Sequence, residues 1–195
     1  MQASISKVRI LLLGATLLVS AAWQTTYAAD PATSQASLVS ALSKSKLTLA
    51  DALRDAATKG GAVISAKFEF DDAGKLSLSV YTAEKGLSVA PEENVFQEFS
   101  GSPEQSPWKK EVEVFKDVPH VARAAEQLTL LALSHRTLLD VIANAQKKQP
   151  GTVFSISPAL KEHKAVAVVL IASNGKVTEL SYDLQSGALL ETRHL

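Results

Sequence analysis

At 195 residues the chain has room for one or two domains, and with 46% apolar and 21% charged residues it can bury a sizeable core. Basic and acidic residues balance at 20 each, so no charge excess points to nucleic acid or an anionic membrane surface as partner. The absence of cysteine excludes disulfides, thiolate metal sites and a cysteine nucleophile.

The chain begins with the layout of a cleaved signal peptide. Lys7 and Arg9 form a basic region, and residues 10–22 form an apolar one rich in leucine. Tyr27 is flanked by Thr26, Ala28 and Ala29, which supply small residues for cleavage after residue 28. The apolar run is shorter than the roughly 20 residues that span a bilayer, so no stable membrane anchor is expected after cleavage. Without a cysteine near this point, attachment of a lipid is excluded. Cleavage would leave 18 basic and 20 acidic residues, because residues 1–28 carry only Lys7 and Arg9. The expected location is a bacterial periplasm or the medium outside the cell.

Past the signal, residues 29–46 read as a loose tail leading to a short helix near 35–43, where Leu38, Ala41 and Leu42 have helical spacing. A clearer helix is expected over 47–61. Thr48 can cap it, Asp51 sits near the positive end of its dipole, and Leu49, Ala52, Leu53 and Ala56 make one apolar stripe. Gly60-Gly61 should end it. Residues 63–70 and 76–80 alternate with period two around an Asp71-Asp72-Ala73-Gly74 turn, the pattern of a hairpin with one buried face. The segment 84–106 is irregular. Residues 86–90, or the stretch around Val95, Phe96 and Phe99, can supply a third strand, and 111–115 a strand or an edge. Pro119 suits the first turn of a helix over 119–133. A second helix follows with Leu138, Val141, Ile142 and Ala145 on one side. Pro150-Gly151 leads to strands at 152–157, 165–172 and 176–182, the last two joined by an Asn174-Gly175 turn.

Two segments repeat. Ala41-Leu42-Ser43 precedes Thr48-Leu49-Ala50-Asp51, and Ala132-Leu133-Ser134 precedes Thr137-Leu138-Leu139-Asp140. Each helix feeds an antiparallel hairpin, which reads as a domain duplication. The second copy resembles the PepSY domain family: 137–145 matches its helix, Pro150-Gly151 the exit, 165–182 the strands, and Asp183–Gly187 the closing Asp-x-x-x-Gly turn. The first copy, 48–82, matches the helix, the Gly-Gly exit and two strands but lacks that turn. The resemblance implies an α+β fold of two tandem cystatin-like PepSY units, each a helix packed on a small antiparallel sheet. One would span 29–118 and the other 119–195. It also implies a non-catalytic exported module, associated with propeptides and restraint of a peptidase, with no catalytic residues to carry over and no cofactor.

Catalytic signatures are missing: there is no Gly-x-Ser-x-Gly, no phosphate-binding glycine loop and no His-Glu-x-x-His. Asp71-Asp72 and Glu92-Glu93 read as solvated turn charges, and His120, His135, His163 and His194 stand isolated. In the Asp183–Gly187 turn, the carboxylate is expected to accept backbone N–H groups while Gly187 takes positive φ. Trp108, in a Pro-rich connector, is either a plug in the core or a partner contact; Phe96 and Phe99 raise the same question, and burial is preferred for all three. The expected function is a non-catalytic binding or regulatory protein, with an envelope peptidase or another protein as its partner. The alternatives are an envelope sensor of a ligand or metal, and a hydrolase with an unrecognised site.

Overall fold

The computed structural model describes residues 31–57 and 61–195. The expected signal peptide over 1–28 and Gly60 of the expected helix stop lie outside them. In chain order the elements are α1 (Pro31–Ala41), α2 (Leu49–Ala56), β1 (Ala62–Phe70), β2 (Leu76–Ala83), β3 (Phe96–Gly101), β4 (Glu111–Val114), α3 (Val118–Ala132), α4 (Leu138–Lys148), β5 (Thr152–Lys161), β6 (Lys164–Ser173), β7 (Lys176–Asp183) and β8 (Leu189–His194).

All eight described strands lie in one antiparallel sheet, ordered β4-β3-β2-β1-β5-β6-β7-β8. This corrects the expectation of two tandem cystatin-like PepSY units, each a helix on its own small sheet. The class is α+β only in the broad sense. The reason lies in β1 and β5. Each opens a four-strand meander, and left apart each would present a row of unpaired backbone groups. They pair with one another instead, Ala66 opposite Ile156 and Lys67 opposite Ser155. A single apolar core then runs from Leu53 and Phe99 through Ile156 to Leu180 and Leu184. The boundary expected between 118 and 119 falls in the first turn of α3.

Both amphipathic helices start with the same capping box. Thr48 Oγ1 accepts the Asp51 N–H at 3.1 Å while the Asp51 carboxylate accepts the Thr48 N–H at 3.3 Å. Thr137 and Asp140 repeat this at 3.1 and 3.0 Å. The threonine hydroxyl bond holds both carboxyls below their ordinary range. These bonds satisfy N–H groups that a helix start would otherwise leave open. Each stripe is buried: Leu49, Ala52, Leu53 and Ala56 in α2, and Leu138, Val141, Ile142 and Ala145 in α4. Thr48→Ala or Thr137→Ala is expected to cost about 1 kcal/mol by denaturant titration. Thr→Ser in place of Ala should recover most of that loss, because it restores the hydroxyl.

The two meanders share a further irregularity. β1 shifts register between Val63 and Ser65, and β5 between Val153 and Ser155. Paired residues point to the same face, so the register sorts the side chains. Ala66, Phe68, Leu78, Val80, Ile156, Val169 and Leu180 share one apolar face, which α2 and α4 cover. The opposite face carries Lys67, Glu69, Ser79, Tyr81, Ser155, Glu179 and Ser181. α3 crosses it, anchored where the Ser65 hydroxyl donates to Gln127 Oε1 at 2.8 Å.

Several local expectations shift. α2 ends at Ala56 rather than at 61, with Ala57 already extended at ψ 114°. Residues 86–90 make no strand; β3 is Phe96–Gly101 and β4 is Glu111–Val114. β5 runs on past 157 to Lys161 through Pro158. β8, which lines the far edge, has no counterpart in the sequence reading.

Candidate functional site

The β1–β5 seam is short. Two residue pairs join the strands, and Pro158, two residues beyond Ile156, has no N–H with which to extend the ladder. β1 bulges away at Val63–Ser65 on the same side. The strands therefore splay, and α3 bridges the gap. A cleft of about 360 Å³ results, lined by Ser65, Lys67 and Tyr81 on one side, Ser155, Ser157 and Pro158 on the other, and Arg123, Glu126 and Gln127 from α3. That size falls at the lower end of small-molecule sites, roughly 300–1,000 Å³.

Its polar groups divide into committed and free ones. Lys67 Nζ pairs with Glu69 at 2.5 Å and stands 5.8 Å from the centroid of the Tyr81 ring. Burial works against the Lys67 charge, but Glu69 and Tyr81 outweigh it and raise its pKa. Burial likewise raises the Tyr81 phenol, with Lys67 opposing. Both groups keep their ordinary charge at neutral pH. Tyr81 stacks on Phe115, centroids 5.8 Å apart, and Phe115 on His120 at 5.1 Å. The His120 ring is tied at Nδ1 to Asp117, 2.7 Å away. Arg123 and Glu126, three residues apart and exposed on α3, have no ion-pair or hydrogen-bond partner among the described residues. Sequence reasoning passed over this cleft, because its two walls come from strands some ninety residues apart.

The residues singled out in sequence are placed elsewhere. Asp183 Oδ1 accepts the N–H groups of Gln185 and Ser186 at 3.0 and 2.7 Å and the Ser186 hydroxyl at 2.9 Å. The Ser186 N–H bond leads in holding the Asp183 carboxyl below its usual range. Gly187 sits at φ +74° and returns its N–H to the Asp183 carbonyl at 2.8 Å. The geometry is that of a turn joining β7 to β8. Phe96 and Phe99, three apart on β3, point to opposite faces, and both are buried, at 3% and 8% exposed. Their area is not open to a partner. Trp108 is half-buried against the core, and its Nε1 is buried without a partner among the described residues. Lys110 Nζ lies 5.5 Å from its ring centroid and donates to the Asp55 carbonyl at 2.7 Å, which ties the connector to α2. Among the described residues no group of three or more His, Cys, Asp or Glu gathers as a metal site. No described helix is long and apolar enough to cross a membrane.

No family model matches the chain, and no curated protein matches it. Among solved structures, the crystal structure of a putative lipoprotein from Clostridium difficile is similar at 14% identity. The match covers 70% of this chain and 84% of that one with a TM-score of 0.39, too slight a likeness to carry a role across.

Proposed function

We propose that this chain is an exported, non-catalytic binding protein, PepSY-like in its repeated helices, that engages an envelope peptidase by strand addition. Export rests on the basic and apolar segments of residues 7–22 and the small residues before position 30. The observation that carries the binding mode is the β4 edge. Among the described residues β4 is the outermost strand on its side of the sheet and pairs only with β3. All four of its residues are exposed, Val112 at 55% and Val114 at 42%. Such an edge offers backbone donors and acceptors to an extended segment of another protein, with Val112 and Val114 supplying apolar contact. Glu111 and Glu113 alternate with them, which discourages pairing between two copies of this same edge.

The test is retention and inhibition. Immobilised protein, freed of residues 1–28, should retain peptidase activity from an envelope extract and slow hydrolysis by the retained enzyme. The double variant Val112→Lys/Val114→Lys should weaken both effects at least tenfold with little change in thermal midpoint, since these side chains are already exposed. An extract whose peptidase activity passes through without loss or slowing would rule out the peptidase.

A further inference from the structure

We infer that the seam cleft beneath α3 is a binding site for a free α-amino acid with an apolar or aromatic side chain. The cleft leaves two of its charges without a counterion among the described residues. Lys67 is neutralised by Glu69, and His120 is held by Asp117. Two charges of opposite sign remain on the α3 wall, Arg123 and Glu126. Neither has a partner among the described residues, and they do not pair with one another, although their spacing places them on neighbouring turns. A lone anion such as phosphate would meet Arg123 but also face Glu126. A zwitterion satisfies both: its carboxylate takes the guanidinium in a two-point bond, and its ammonium takes the Glu126 carboxylate.

The remaining walls fit the rest of such a molecule. The Ser155 and Ser157 hydroxyls, half-buried on β5 and not engaged by any described neighbour, can hydrogen-bond the carboxylate or ammonium. Tyr81, Phe115 and Pro158 give an apolar and aromatic floor for a side chain. The volume, about 360 Å³, suits a ligand of one residue rather than a folded segment. The site is independent of the β4 edge, so failure of the peptidase reading leaves it untouched. Peptide hydrolysis is the class of reaction that would supply its ligand.

Titration calorimetry of the protein freed of residues 1–28, with L-phenylalanine as probe, tests the inference. Saturable binding is expected, with amide shifts at Gln127, Ser155 and Ser157 in a nitrogen-labelled spectrum. N-acetylphenylalanine, which lacks the cation, and phenylalaninamide, which lacks the anion, should each bind at least tenfold more weakly. Arg123→Gln should weaken phenylalanine at least tenfold but leave phenylalaninamide unchanged, and Glu126→Gln should weaken phenylalanine at least tenfold without weakening N-acetylphenylalanine. Both side chains are exposed, so the variants should fold, and their thermal midpoints check this. No saturable binding, binding of either blocked analogue as tight as that of phenylalanine, or binding indifferent to Arg123→Gln would each overturn the proposal.

Discussion

Ile156→Ala is expected to lower unfolding stability by about 2–5 kcal/mol while leaving a single cooperative transition. Ile156 is fully buried, with Ala66 opposite it across the seam and Val169 across the next ladder. Truncation removes three carbons from the place where the two meanders join. β1 and β5 hold each other there through few pairs, so the lost side-chain contacts have little ladder to back them up. The informative readout is at a distance. Trp108 belongs to the connector before β4 and packs against the core beside Gly101 of β3. With residues 1–28 removed it is the only tryptophan, since the other is Trp23. If the sheet unfolds as a unit, the midpoint seen by Trp108 fluorescence moves with the midpoint seen by far-ultraviolet circular dichroism. Two independently folding halves would leave the Trp108 transition in place while the rest of the signal moved, and that outcome would refute the single-core description.

Structure dictated by near neighbours is legible in the sequence. Thr48 with Asp51, and Thr137 with Asp140, declare helix starts within four residues, and both caps form. Asn174-Gly175 declares a two-residue hairpin because both positions need positive φ, and they take φ 50° and 73°. The β5–β6 hairpin uses the same backbone without the signal: Glu162 and His163 turn the chain at φ 48° and 62° with no glycine at all. Pro158 made the extension of β5 harder to see, since a proline usually demotes a strand. Here it stands just beyond the point where pairing with β1 stops, so no ladder bond to β1 is asked of it. β8 was missed because Leu189–His194 is an edge with exposed side chains, which leaves little hydrophobic alternation to read. The merger of the halves was illegible for a different reason. Ala66 and Ile156 are each ordinary buried strand residues, and nothing in a period-two pattern states which strand lies alongside.

The candidate cleft was hidden for the same cause. Ser65 and Lys67 read as the outer side of a hairpin with one buried face, and Ser155 and Ser157 as part of a strand with no face assigned. They became the floor of a site only because β1 and β5 meet and α3 is laid across them.

Gly151→Ala is expected to be comparably damaging, about 2–6 kcal/mol, against a total stability on the order of 5–15 kcal/mol for a domain. Two separate effects add. Gly151 sits at φ +152°, a backbone region that side-chain-bearing residues avoid, which costs about 1–3 kcal/mol. A Cβ there would also stand 2.5 Å from the Ala172 carbonyl oxygen and 2.8 Å from Ile171 Cγ2. The oxygen belongs to β6 where Thr152 and Ala172 pair, so it cannot swing aside as a flexible side chain would without opening the β5–β6 ladder. Overpacking of this kind costs about 1–3 kcal/mol more. Gly175→Ala separates the two effects. It too has positive φ, at +73°, but nothing lies within 4 Å of the added carbon. Its loss should be confined to backbone strain, on the order of 1 kcal/mol. Denaturant midpoints of the two variants, measured with amide exchange along β6, should show the larger loss and the faster exchange near Ala172 for Gly151→Ala alone. Equal losses would mean that the close approach of the helix exit to β6 contributes nothing to holding α4 against the sheet.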